Sequence, residues 1–177
     1  MAHIIFITGG ARSGKSAFAE KRAREFGAPL GYLATAQAHD SEMDERVRKH
    51  RERRGAEWST IEEPLCLAET LARCDGHYTV ILVDCVTLWL SNLLFNYEEE
   101  GEQVGELIHQ ELERLKSTLR KMVTPVIFVS NEVGMGIVPD NALARLFRDI
   151  AGTANQTLAA AADEVHAVIS GIPLRLK

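Results

Sequence analysis

Residues Gly9 to Ser16 read GGARSGKS: a glycine, four variable positions, then glycine, lysine and serine. That spacing suits a buried strand, a glycine loop and a helix whose first backbone N–H groups turn toward an anion. The flanks agree with it. His3-Ile4-Ile5-Phe6-Ile7-Thr8 is an apolar run of strand length, and Ala17–Phe26 reads as a helix. Gly9, Gly10 and Gly14 permit backbone conformations that other residues resist, so Gly9, Gly10, Ala11, Arg12, Ser13, Gly14, Lys15 and Ser16 can wrap amides around phosphate oxygens. Lys15 is then expected to reach the β- and γ-phosphates, and Ser16 to place its hydroxyl on a magnesium ion bridging the same oxygens. A chance glycine turn would lack this context, so the loop predicts binding of a nucleoside triphosphate.

Beyond the loop, short apolar runs alternate with helical periodicity. Gly31–Thr35 reads as a second extended run and Trp58–Ile61 as a short one. Thr79–Asp84 (TVILVD) and Pro125–Ser130 (PVIFVS) read as central parallel strands. Val104–Met122 and Ala142–Ala162 are helical in period, the second with Leu143, Leu146, Phe147, Ile150, Ala154 and Leu158 on one face. Val165–Ser170 is a further strand, and Leu174–Leu176 follows it after a Gly-Ile-Pro turn. The pattern predicts an α/β fold, with a mostly parallel central sheet flanked by helices and ligands at the carboxyl ends of its strands. A chain of 177 residues, 46% of them apolar, suits a single domain over 1–177. Its net charge of −5 argues against a nucleic-acid partner. No run approaches a membrane span, and the chain enters a strand without a cleavable leader, so a cytoplasmic protein is expected. Cys66, Cys74 and Cys85 lack the paired spacing of a zinc site and read as reduced thiols, mostly core filler.

Asp84 closes the TVILVD run. An acid at the carboxyl end of a strand downstream of a phosphate loop is placed to hold Mg2+ together with Ser16, although it also suits a turn cap. The stretch CVTLWLSNLLF that follows is apolar on nearly every side, which predicts deep packing or contact with another subunit. Asp40–Arg54 is predicted to be a helix starting near Asp40 or Ser41. Its acids come first and Arg46, Arg48, Lys49, Arg51, Arg53 and Arg54 later, the order the helix dipole favours. Met43, Val47 and His50 lie at i, i+4 and i+7, so the imidazole shares a stripe with the only apolar residues of that helix. A histidine facing inward among cations is biased toward its neutral, nucleophilic form, and the same cations attract polyphosphate. A packing histidine on a solvated helix is the alternative. Asn131–Pro139 (NEVGMGIVP) leaves a strand beside the expected site, and Gly134 and Gly136 give it freedom to cover a substrate. Its alternative is an ordinary strand-to-helix connection ending in Pro139 and an Asp140 cap.

Taken in order, GGARSGKS, YLATA at Tyr32–Ala36, RVRKHRERRG at Arg46–Gly55, WSTIE at Trp58–Glu62, NEVGMGIVP and FRDIAGTANQTLAAAADEV at Phe147–Val165 span essentially the whole chain. Together they closely resemble the adenosylcobinamide kinase/adenosylcobinamide-phosphate guanylyltransferase family. The resemblance implies a P-loop NTPase fold of the RecA-like kind and two reactions. Adenosylcobinamide would be phosphorylated with ATP or GTP, and GMP would then pass from GTP onto that phosphate to give adenosylcobinamide-GDP. It implies His50 as the guanylylated residue, with Lys15 as a second catalytic position. Nucleotide contacts carry over to Gly9 through Ser16, to Ala34, Thr35 and Ala36, to Arg51, Glu52, Arg53 and Arg54, to Glu62 and to Asp84, with Mg2+ on Ser16 and Asp84. Lys49 stands where some relatives have another histidine, which leaves His50 untouched. A homotrimer is implied as well. Three other readings remain open: a guanylyltransferase alone, a P-loop kinase for another small metabolite with a structural His50, and a nucleotide-dependent switch.

Overall fold

The computed structural model describes residues 2–36 and 55–177, so the predicted helix of Asp40–Arg54, with His50, Arg51, Glu52, Arg53 and Arg54, lies outside the described residues. Six strands run parallel: β1 (Ile4–Gly9), β2 (Leu30–Ala34), β3 (Trp58–Glu62), β4 (Val80–Asp84), β5 (Val126–Asn131) and β6 (Glu164–Ile169). β7 (Ile172–Arg175) returns antiparallel on β6, and the seven-stranded order is β3-β2-β4-β5-β1-β6-β7. Among the described residues the α-helices are α1 (Lys15–Arg24), α2 (Leu67–Cys74), α3 (Val86–Asn96), α4 (Val104–Leu119) and α5 (Ala142–Ala161).

Strands that are apolar at every position need cover on both faces, and their side chains divide by the period of two. Ile4, Phe6, Ile81, Val83, Val126 and Phe128 point to one face, where α2 to α5 bury Leu71, Trp89, Leu90, Ile108, Leu115 and Leu158 against them. Ile5, Ile7, Val80, Leu82, Ile127 and Val129 point to the other, where Ala19 and Ala23 let α1 lie close to the sheet. The CVTLWLSNLLF stretch becomes α3, and it packs deep through Val86, Trp89, Leu90, Leu93 and Leu94. Cys74 and Cys85 are buried and Cys66 is exposed.

Several boundaries differ from expectation for local reasons. α1 begins at Lys15, two residues before Ala17, because Gly14 in the left-handed region ends the loop abruptly and Phe18 already donates to its carbonyl. α4 stops at Leu119 instead of Met122, since Asp75 captures the amides of Val123 and Thr124 and draws the chain toward β5. The Gly-Ile-Pro turn is a two-residue Ser170-Gly171 turn with both residues at positive φ; Ile172 and Pro173 already belong to β7, an edge strand that tolerates a proline. The cap of α5 is Asn141, whose Oδ1 accepts from the Ala144 amide at 3.1 Å, and not Asp140. The α5 stripe is buried at Ala151, Ala154, Asn155 and Leu158, whereas Leu143 stays 41% exposed at the helix start. α2 itself is an addition: Leu67, Leu71 and Cys74 give it a buried face, and Glu63 upstream accepts from the Leu65 and Cys66 amides at 3.0 and 2.8 Å.

Candidate active site

Parallel strands present their carboxyl ends on one edge, and here that edge collects the residues of interest. Ala34 at the end of β2 is level with Glu62 on β3 and with Asp84 on β4, while Gly9 on β1 is level with Asn131 on β5. The phosphate loop leaves β1 at Gly9 and enters α1 at Lys15. Gly9 has φ 155, and a Cβ there would lie 2.4 Å from the Val168 carbonyl oxygen, so no side chain fits. Gly14 has φ 95, with Gly171 of the β6–β7 turn 3.1 Å from where its Cβ would stand. The Gly171 amide donates to the Ser13 carbonyl at 2.8 Å, and the Glu132 amide donates to the Gly9 carbonyl at 3.0 Å. Both ends of the loop are therefore tied to neighbouring strands. Ser16 is half-buried in the first turn of α1, and Ala11 and Arg12 are exposed at the loop tip.

Lys15 is only 8% exposed, and its ammonium donates to the Gly10 carbonyl at 3.0 Å. Burial lowers its pKa, against the raising influence of Cys85 and Asp84. The Cys85 thiol is itself pushed up to about 11, chiefly by burial, so at neutral pH it is uncharged. A lysine short of solvation and held on a backbone carbonyl is ready to exchange that contact for a phosphate oxygen.

Asp84 is held by a partner that sequence reasoning missed. The Tyr32 hydroxyl, from the middle of β2, donates to Asp84 Oδ2 at 3.1 Å. Thr35 is fully buried beside it: its amide donates to the Asp84 carbonyl at 3.3 Å, its hydroxyl donates to the Cys85 carbonyl at 2.7 Å, and it accepts from the Cys85 amide at 2.9 Å. The Asn92 carboxamide of α3 donates to the Thr35 carbonyl at 2.8 Å. Ala34 and Thr35 are thereby held against the end of β4 and the start of α3.

A second missed element is a closed ring of hydrogen bonds at the end of β5. The Asn131 amide donates to the Thr87 hydroxyl at 2.7 Å, the Ser130 hydroxyl donates to Asn155 Oδ1 at 2.7 Å, and Asn155 Nδ2 donates to the Asn131 carbonyl at 3.2 Å. Thr87 and Ser130 lie 3.3 Å apart. The single Ser130 proton is spent on Asn155, so Thr87 must be the donor between them. The ring fixes both backbone groups of Asn131 where the 131–139 loop departs. A threonine and an asparagine on otherwise apolar helix faces are the sequence signal for it.

The loop, its buried lysine and the acid at the end of β4 make this a P-loop nucleotide-binding protein of RecA-like architecture. The crystal structure of the RadB recombinase shares the fold, with a TM-score of 0.52 and 17% identity over 93% of this chain and 73% of that one. Residues 5–176 match the family described as cobinamide kinase / cobinamide phosphate guanyltransferase, and the chain belongs to that family. It is 44% identical to the bifunctional adenosylcobalamin biosynthesis protein CobP of Pseudomonas aeruginosa, over 97% of this chain and 95% of the relative. The bifunctional proteins named CobU from Escherichia coli and Salmonella typhimurium are 42% and 44% identical, each covered over 99% of its length and 98% of this chain.

Proposed function

We propose that this chain carries out both family reactions at the strand-end edge, phosphorylating adenosylcobinamide with ATP or GTP and then transferring GMP from GTP to the phosphate so formed. One observation carries the proposal: the phosphate loop, buried Lys15, Asp84, Ala34–Ala36 and Glu62 converge on a single edge of the sheet. In the first step the substrate hydroxyl oxygen attacks the γ-phosphorus, the β–γ bridging bond breaks, the nucleoside diphosphate leaves and the hydroxyl proton is released to solvent. The loop amides and Lys15 position the γ-phosphoryl group and neutralise its charge. In the second, a neutral His50 nitrogen attacks the α-phosphorus, the α–β bridging bond breaks and pyrophosphate leaves. An oxygen of the cobinamide phosphate then attacks the same phosphorus, breaking the P–N bond and returning the imidazole. Arg51, Glu52, Arg53 and Arg54 complete the proposed nucleotide site.

Mg2+ fits this arrangement as a companion of the nucleotide. Among the described residues no group of three or more His, Cys, Asp or Glu is placed to hold a metal ion by itself. Magnesium is commonly bound by one or two protein oxygens plus substrate phosphates, and the Ser16 hydroxyl and the Tyr32-braced Asp84 carboxylate are hard donors of that kind. When bound, it would neutralise charge on the phosphate oxygens. A cytoplasmic homotrimer remains part of the proposal. No helix among the described residues is long and apolar enough to cross a membrane.

Intact-protein mass spectrometry after incubation with Mg-GTP alone, beside a His50→Ala variant, tests the covalent step. A GMP-sized, acid-labile adduct on the parent and none on the variant is expected. No adduct on the parent would remove His50 as nucleophile and leave a kinase.

A further inference from the structure

Two apolar side chains of the described residues stand out as the most exposed, and both sit on the loop that joins β5 to α5. Met135 is 92% exposed, Ile137 96% and Val138 61%, and Leu143 at the start of α5 extends the same short stretch of chain. Apolar groups clustered this way on a surface segment mark a binding surface more often than scattered ones do.

The loop is held at both ends. Its root is fixed by the hydrogen-bond ring around Asn131 and by the Glu132 amide on the Gly9 carbonyl, and Glu132 Oε1 accepts from the Gly134 amide at 2.8 Å. At its far end the Arg145 guanidinium donates to the Pro139 and Asp140 carbonyls at 2.9 and 2.7 Å. Three of the four residues between these clamps thus carry aliphatic groups outward on anchored backbone, which limits the ordering cost of binding.

Position in the sheet names the occupant. β5 lies between β1, which carries the phosphate loop, and β4, which carries Asp84, so its carboxyl-terminal loop rises between the two halves of the phosphate site. A phosphoryl acceptor has to bring one hydroxyl to that point. When the acceptor is a macrocycle too wide to enter a pocket, its bulk must rest on a surface at the mouth, and aliphatic side chains suit the flat, methyl-rich face of a corrin ring.

We propose that Met135, Ile137 and Val138 form the platform on which the corrin ring of the substrate rests while its hydroxyl, and later its phosphate, reaches the nucleotide. This rests on the functional reading above and adds the residues that recognise the acceptor.

Steady-state kinase kinetics on a Met135→Ser, Ile137→Ser double variant test it, with adenosylcobinamide and ATP varied in turn and the assembly state followed by sedimentation. The expected result is a KM for adenosylcobinamide raised roughly tenfold or more, with the KM for ATP moving far less. Ile137→Val should restore most of the loss when it replaces the serine. The platform is overturned if the two KM values rise together, if neither moves, or if the corrinoid effect appears only with a change in assembly state, which would make the loop an interface between copies. A parent protein that fails to phosphorylate adenosylcobinamide would instead sink the functional reading, and that result is visible before any variant is made.

Discussion

Tyr32 and Asn155 act on the site without any charge of their own. The Tyr32 hydroxyl reaches Asp84 Oδ2 from β2, so Tyr32→Phe keeps the packing of the ring against Trp58 and removes the hydrogen bond to Asp84. A hydrogen bond to a carboxylate contributes about 1.5–3 kcal/mol, so kcat should fall by roughly ten- to 150-fold if that energy positions Asp84 for the reaction, with the melting temperature held near the parent's where water takes the place of the hydroxyl. A melting temperature that drops along with activity would show the hydroxyl to be structural instead. Asn155 is the opposite case. Replacing it with alanine opens the ring and leaves the buried Ser130 hydroxyl and the half-buried Asn131 carbonyl without their partner. A cost of about 1–3 kcal/mol is expected, read as a fall of several degrees in a thermal melt. Neither residue was legible as functional in the sequence. Tyr32 looks like one more apolar strand residue, and the polar ring assembled from α3, β5 and α5 shows in the sequence only as a lone threonine and a lone asparagine on apolar helix faces, with nothing local to say what they meet. The positions of Gly9–Ser16 and Asp84, by contrast, follow from runs of alternating strand and helix that need no tertiary knowledge.

The β6–β7 hairpin is a buttress for the phosphate loop, and the loop's glycines differ in how much they depend on it. Gly9→Ala drives a Cβ to 2.4 Å from the Val168 carbonyl oxygen on β6, a backbone atom that cannot move aside. Gly171→Ala meets nothing within 4 Å, so only its φ of 83 opposes the change, at about 1–2 kcal/mol. Nucleotide titration with a fluorescent GTP analogue should therefore find binding lost in Gly9→Ala and largely kept in Gly171→Ala; equal losses would contradict the buttress. The other end of β6 is tied by charge. Glu164 is approached by His3 and His166 at 3.1 Å each and by Arg22 at 3.1 Å. Burial raises its pKa, but the hydrogen bonds from His166 and His3 and the charges of Arg22 and Arg175 outweigh it, and the net shift is downward from 4.5. A carboxylate held lower in the folded state gives stability that is complete above its unfolded value and fades as pH falls through its folded one. Glu164→Gln should thus lower the melting temperature at neutral pH and flatten its decline below about pH 4.5. Parallel acid limbs in parent and variant would remove Glu164 as the cause. The hairpin itself was misread at its turn because proline usually breaks a strand; only the lack of a further neighbour on β7 makes Pro173 acceptable there.

Seen along its sheet, the molecule ends unevenly. β3 and β7 are the two edges, and β7 is the one that carries aliphatic residues into solvent: Ile172 and Leu174 on the strand, with Ile169 and Leu176 beside it, each more than half exposed. An uncovered edge strand offers unpaired backbone groups as well as apolar surface, a combination that favours association with another chain. The proposed homotrimer supplies such a cover, and the sheet edge is the surface we expect it to use. Sedimentation equilibrium should then return three times the 19.6 kDa chain mass for the parent, and a smaller species for a variant with lysine at both Ile172 and Leu174. Charges on an edge strand oppose pairing while leaving the fold intact, so the far-ultraviolet spectrum of the variant should match the parent. Because the same hairpin buttresses the phosphate loop through Gly171, the dissociated variant should also bind nucleotide more weakly. A parent that sediments as a monomer would contradict the trimer outright. A lysine variant that stays trimeric would leave the assembly standing but move its interface away from β7.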